Sequence, residues 1–216
     1  MTAVAESRTL TAMKTKMLGL TRLPAIQIAP SAVGMYTDPE ASAIQRARQE
    51  LFDALASARE GSLVPLSFAG VELSASCIAA VLGPVLNAIV ERHLDGKFVL
   101  AFDPTGRNAW DADAGLRKES ERAGRKLICV WTRNESEMEL VGPVDEQVRT
   151  TYGFARQRSI STGEGVTARD LAEQFEISIQ AASNRLAKAS SLGLLFQADR
   201  ESVAGGGSQY VFVPIG

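Results

Sequence analysis

The sequence predicts an α/β fold, a mixed-sheet α/β domain followed by a small domain of helix, turn, helix and hairpin. Three observations predict it. Apolar runs of strand length alternate with helical patterns from Ala25 to Trp131, as in helices laid on a sheet. The texture changes near Leu140-Val141-Gly142-Pro143, and three further helical patterns and two short strands follow. The 216 residues are 45% hydrophobic and 22% charged, which excludes a disordered or fibrous chain and leaves room for one large domain or two small ones. The expected boundaries are a polar leader over 1–23, the α/β domain over 24–143 and the C-terminal domain over 144–216.

Taken in order, Ala25 to Ala29 alternates at period two and reads as a short strand, resuming at Val33 to Tyr36. Asp38-Pro39 opens a helix, since proline tolerates the first helical turn and acids suit that end. Ile44, Ala47, Leu51, Phe52 and Leu55 fall on its inner face, Gln45, Arg46, Arg48 and Glu50 opposite, and Glu60-Gly61 ends it. Leu63 to Phe68 is a strand in which Pro65 argues against full pairing unless its missing N–H meets an irregularity. Cys77 to Leu94 is a deeply buried helix kinked at Gly83-Pro84. Lys97 to Phe102 is the next strand, stopped by Asp103-Pro104-Thr105-Gly106. Asp111 to Ala123 makes a charged surface helix and Lys126 to Trp131 another strand. Trp110 would more commonly pack in a core than line an interface. Asp145 to Arg158 is helical, and Ser159 to Gly165 is a Ser/Thr/Gly hinge.

Met1 to Thr21 has no continuous apolar stretch, so no signal peptide is expected. Cys77 to Leu86 is too short to span a bilayer. A soluble, cytoplasmic protein without membrane contact is the expectation. Cys77 and Cys129 cannot make a disulfide framework, nor a conventional zinc site with the single His93. No cofactor and no metal are expected. Net charge is −2, which supplies no global basic field for nucleic acid. From Gln147 onward, however, seven Lys and Arg face six Asp and Glu, so the two ends of the chain differ in charge.

In the C-terminal domain, Thr167-Ala168-Arg169-Asp170 is a capping box, in which hydroxyl and carboxylate satisfy free N–H groups reciprocally. Leu171, Ala172 and Phe175 form the inner face of a helix ending at Glu176. Ile177-Ser178 is the turn, Ile177 being buried and Ser178 the N-cap of the next helix. Ala182, Leu186 and Ala189 recur at helical spacing, and Leu192-Gly193-Leu194-Leu195 closes that helix. Gln197 to Val213 is a hairpin with Ala204-Gly205-Gly206-Gly207-Ser208 at its tip.

This segment, "VTARDLAEQFEISIQAASNRLAKASSLGLL" followed by "FQADRESVAGGGSQYVFV", resembles the winged helix-turn-helix family of bacterial regulators. The resemblance implies that Ile179 to Ser190 is a recognition helix lying in the major groove of double-stranded DNA. Ser178, Gln180, Ala181, Ser183, Asn184, Arg185 and Lys188 would then face outward, amides and hydroxyls toward base edges and cations toward phosphate or guanine. The wing would present Arg200, Ser208 and Gln209. A homodimer would double the contacts and suit a palindromic site. Many winged helices bind proteins instead, and the small net charge is weak for a domain that neutralises several phosphates alone.

In the first domain, Leu66 to Gly83 runs through strand, Gly-Val turn, Ser-rich loop and buried helix. It resembles the STAS-like domain of bacterial proteins, a relative of anti-anti-sigma factors, over roughly Glu40 to Leu140. The family loop reads Asp-Ser-Ser-Gly, with its first serine phosphorylated. Here the four positions are Ser74, Ala75, Ser76 and Cys77. Ala75 stands at the phosphoacceptor and has no hydroxyl, so the resemblance implies a partner-docking loop without the phospho-switch. The bland reading of Ser74 and Ser76 is that they cap the helix beginning near Cys77.

Enzyme readings fare poorly. Asp103, Asp111 and Asp113 read as loop and helix-start residues more simply than as Mg2+ ligands. His93 has no nucleophile or orienting acid in pattern around it, and Gly205 to Gly207 lack the Lys-Ser/Thr of a phosphate loop. The expected function is a non-enzymatic DNA-binding regulator whose STAS-like domain senses or docks a partner. The alternative is an adaptor acting on a histidine-kinase-like ATPase, with the winged helix used for protein contacts.

Overall fold

The computed structural model describes residues 20–28, 34–202 and 208–216. Most of the leader, Ala29, Val33 and the hairpin tip Ala204 to Gly207 lie outside the described residues. Two short strands, β1 (Thr21–Arg22) and β2 (Ile26–Gln27), precede β3 (Gly34–Tyr36) and helix α1 (Ser42–Ser57). Then come β4 (Ser62–Ser67), β5 (Val71–Leu73), α2 (Ala75–Val90), β6 (Lys97–Phe102), α3 (Ala109–Ala123), β7 (Cys129–Thr132) and β8 (Met138–Val141). The chain ends with α4 (Glu146–Thr162), α5 (Ala168–Phe175), α6 (Ile179–Ser191), β9 (Leu195–Ser202) and β10 (Ser208–Pro214).

The main sheet runs β1/β2–β4–β6–β7–β8, parallel except for the last strand, so it is a mixed α/β sheet as expected. A parallel pair β3–β5 and an antiparallel hairpin β9–β10 stand apart from it. Leu23 N–H donates to the Leu63 carbonyl (2.8 Å) and Ile28 N–H to that of Ser67 (3.2 Å), so odd residues of β4 turn toward β1 and β2. Pro65 therefore meets the break between those two strands, where no N–H is needed.

Alternation along the strands feeds two cores. Val64, Val99, Ala101, Cys129 and Trp131 point toward α1, α2 and α3, where Ile44, Leu51, Ile78, Leu82 and Leu116 are fully buried. Leu63, Phe98, Leu100, Ile128, Val130 and Leu140 point the other way, into a cluster with Val148, Tyr152, Leu171, Leu186, Leu194 and Phe212. Residues 146–216 thus cover the second face of the sheet. Burial on both faces is why the strands read as continuous apolar runs. Among the described residues no helix is long and apolar enough to cross a membrane.

Several boundaries move. α1 starts at Ser42, because the Asp38 carboxylate accepts the Glu40 N–H in a local turn (2.9 Å) instead of capping the helix. It ends at Ser57, before Glu60. Phe52, at the edge of the apolar stripe, is 36% exposed. α2 starts two residues earlier than expected and stops at Val90, where Arg92 takes a left-handed φ of 64° and His93 and Leu94 both donate to the Ala88 carbonyl. Leu127 N–H is held by the Ser120 hydroxyl (2.9 Å), so pairing in β7 begins only at Cys129. β8 was not expected. Ser159 to Thr162 are the last turn of α4, their Ser161 and Thr162 hydroxyls donating back to the Arg158 carbonyl, and Gly163 at φ 75° ends it.

Candidate nucleic-acid interface

α5 and α6 are set by caps. The Thr167 hydroxyl accepts the Asp170 N–H (3.3 Å) and the Asp170 carboxylate accepts the Thr167 N–H (2.8 Å), the capping box that the sequence predicts. Glu176 closes α5 in the left-handed region at φ 51°. The Ser178 hydroxyl accepts the Ala181 N–H (3.2 Å) and starts α6. Leu171, Ala172, Ala182, Leu186 and Ala189 are buried between the helices and the hairpin. Phe175 and Ile177 are only half-buried, a correction to the expected inner face. Phe175 packs edge-on to Phe154 of α4, with centroids 5.8 Å apart.

Gln180, Ser183, Asn184 and Lys188 are exposed and share one side of α6 by their spacing. Gln180 Nε2 donates to Asn184 Oδ1 (3.1 Å), so the two amides hold one another on that face. Ile179, at the start of α6, is 58% exposed. Arg185 and Ala181 depart from the expectation: both are half-buried. The Arg185 guanidinium sits 5.9 Å above the Phe175 ring, with its Nε buried and unpartnered. On the hairpin, the Arg200 guanidinium stacks 4.4 Å from the Tyr210 ring and also meets the Tyr210 hydroxyl. Ser208 is exposed and Gln209 half-buried.

Lys188 is engaged inside the chain. Its Nζ lies 3.0 Å from Asp145 Oδ2, which also takes Lys126 Nζ at 2.6 Å. Asp145 is the N-cap of α4 as well, accepting the Val148 N–H at 2.8 Å. Lys126, the Val148 N–H and Lys188 together hold the Asp145 carboxyl well below the usual carboxylate range. One acid therefore joins the segment leading into β7, the start of α4 and the exposed face of α6. No local pattern in the sequence reveals this tie, since Asp145 stands 43 residues before Lys188 and just ahead of the span from Gln147 whose charges nearly balance. Adding Asp145 and Glu146 gives the segment more acids than bases.

At the other candidate site, the Ser74 hydroxyl caps α2, accepting the Cys77 N–H at 3.4 Å, and stands 3.0 Å from the Ser76 hydroxyl. The Ser74 N–H donates to the Tyr36 carbonyl (2.9 Å). Ala75 and Ser76 reach the surface, whereas Cys77 is fully buried and cannot touch a partner, a correction to the docking set. Beside the loop a groove of about 850 Å3 runs between α2 and α3, with Arg48, Lys118 and Arg122 on its walls. Trp110, at the start of α3, is 78% exposed, contrary to the core fate expected for it.

Asp103 is fully buried and its carboxylate is saturated by Thr105 N–H and hydroxyl and by Asn108 N–H and Nδ2. Asp113 pairs with Arg117 (2.6 Å) and accepts the Gly142 N–H. Among the described residues no group of three His, Cys, Asp or Glu is placed to hold a metal. Burial pushes the Cys129 thiol up to about 12, so it stays protonated. No family model, curated protein or solved structure matches this chain.

Proposed function

We propose that this chain is a non-enzymatic DNA-binding transcription regulator, with a C-terminal winged helix-turn-helix governed by a STAS-like domain that docks a cytoplasmic protein partner. The observation that carries the reading is the outer face of α6. It presents Gln180, Ser183 and Asn184 to solvent behind a Ser178 cap, residue types able to pair with base edges in the major groove. Arg200 on the hairpin would reach the backbone, and a homodimer would provide the remaining phosphate contacts. Titration of the full chain against its own upstream DNA, at low and moderate salt, tests this. A salt-sensitive shift is expected, reduced by about ten-fold or more in Gln180→Ala/Asn184→Ala. No shift at either salt sinks the reading.

A second reading has its own observation. Lys188 is tied to Asp145 and Arg185 lies on Phe175, so both cations of α6 are occupied within the chain. That favours an adaptor whose α6 face and Ser74–Ser76 loop bind proteins. In that case the Gln180→Ala/Asn184→Ala variant leaves DNA binding absent in both forms and alters capture of a protein partner instead.

A further inference from the structure

β8 is the last strand of the main sheet, and its outer side is unpaired among the described residues. Arg133 N–H donates to the Glu137 carbonyl (3.1 Å). In an antiparallel ladder this turns the main-chain groups of Glu139 and Val141 toward β7 and those of Met138 and Leu140 outward. Such an edge is a template for an added strand. Natural edges are commonly blocked by a proline, a bulge or a covering element; β8 holds no proline or bulge, and among the described residues no further strand pairs with it.

Grooves flank this strand on both faces. On the face of Met138 and Leu140, one of about 430 Å3 runs beside α4 and is bordered by Arg149, Tyr152, Gly153, Arg156 and Ile160. On the opposite face, one of about 310 Å3 is bordered by Trp131, Arg133 and Glu139. Two further features mark the α4 side of the site. Gly153 sits inside α4 with nothing within contact of an added Cβ, although glycine in a helix costs roughly 1 kcal/mol against alanine. Arg156 donates to the Glu135 and Ser136 carbonyls but keeps a buried, unpartnered Nε, and Arg149 has no carboxylate partner among the described residues.

We propose that β8 takes up an extended acidic segment of a partner protein as an additional strand. The segment's main chain pairs with Met138 and Leu140. Side chains on one face run along α4, with stems against Met138 and Ile160 and carboxylates on Arg149 and Arg156. Gly153 leaves the room the segment occupies. A second copy of this chain fits worse, since two-fold pairing through Met138 and Leu140 sets the two Glu139 carboxylates opposite each other. This site is distinct from α6 and does not rest on DNA binding.

An eight-residue peptide of alternating Glu and Thr, fluorescein-labelled and amidated, is titrated with the full chain by anisotropy. A peptide of alternating Lys and Thr is the control. Saturable binding of the Glu peptide is expected, about ten-fold or more weaker for the Lys peptide and for the Arg149→Glu and Gly153→Leu variants. Hydrogen exchange at the Met138 and Leu140 amides should slow on binding. Gly153→Leu raises helix propensity at an open position, and an unchanged or higher melting temperature verifies that it folds. The proposal is overturned by no saturable binding, by equal binding of both peptides, or by binding without protection of those two amides. Concentration-dependent dimerisation abolished by Gly153→Leu also overturns it, by assigning the edge to a second copy.

Discussion

The two faces of the sheet are covered in different ways. Toward α1, α2 and α3 the contact centres on Phe68 against Trp131, with ring centroids 4.8 Å apart, and on leucines of adjoining helices, and polar bonds such as those of Asp103 with Thr105 and Asn108 join residues close in sequence. Toward residues 146–216 an apolar centre is rimmed by polar ties: Tyr152 hydroxyl to the Ile215 carbonyl (2.7 Å), Arg156 to the β7–β8 turn, and Asp145 to Lys126 and Lys188. Packing between near neighbours in sequence makes a scaffold. A rim of exchangeable ion pairs beside an exposed helix face is where a ligand can compete. The proposed DNA face lies on this second side, and the proposed strand-addition edge borders it through Met138, Leu140 and α4.

The comparison breaks most visibly if the second face is not part of one core. Leu186 is fully buried and shares its cluster with Phe98, Leu100 and Ile128 of the sheet. Leu186→Ala should cost about 2–5 kcal/mol and lower a single calorimetric transition of the whole chain. A split into two transitions would show that residues 146–216 fold apart from the sheet. A smaller effect tests the first face. Gly115 lets α3 cross the first turn of α2 so closely that a Cβ would collide with the Ala75 carbonyl. Gly115→Ala should cost about 1–3 kcal/mol, read from urea midpoints, and shift the amide resonances of Ser74 to Cys77. Unmoved resonances there would mean that the two helices are not locked at this loop.

The first face was the more legible in the sequence because its elements follow one another with clear periods. Lys97 to Phe102 alternates between two buried faces, and Ile44, Ala47, Leu51 and Leu55 repeat at helical spacing. The second face was legible only locally. The Thr167–Asp170 box and the Ser178 cap act over three residues and can be read directly. Met138 to Val141 gave no strand signal, being four residues with Glu139 exposed among them and Gly142-Pro143 following. The Ser159 to Thr162 run looked like a loop because its hydroxyl-rich composition is ambiguous until side chains are seen bonding back along α4. Spacing places Lys188 on the outward face of α6, and its tie to Asp145, 43 residues away, lies beyond any local pattern. Helical spacing alone places Arg185 outward, whereas the Phe175 ring of the preceding helix holds it half-buried.

The smallest stability effect sharpens the comparison most. Asp145→Asn keeps an N-cap acceptor for the Val148 N–H, since asparagine caps as well as aspartate, and removes only the charge that Lys126 and Lys188 share. The three side chains are 30%, 43% and 42% exposed, so solvent screening limits the loss to about 1 kcal/mol or less. The acid's pKa is depressed in the folded state, chiefly by Lys126. Its contribution is therefore present in full above the unfolded value near about 4 and fades as pH falls toward the lower folded value. The melting temperatures of Asp145→Asn and the parent should differ at pH 7 and converge in acid, and a constant gap down to low pH would deny the ion pairs that role. DNA affinity should move the opposite way. Releasing Lys188 gives α6 one more cation for phosphate and steepens the salt dependence by about one ion. If Asp145→Asn leaves both affinity and salt slope unchanged, Lys188 is a structural tie and the proposed DNA face is reduced to Gln180, Ser183 and Asn184.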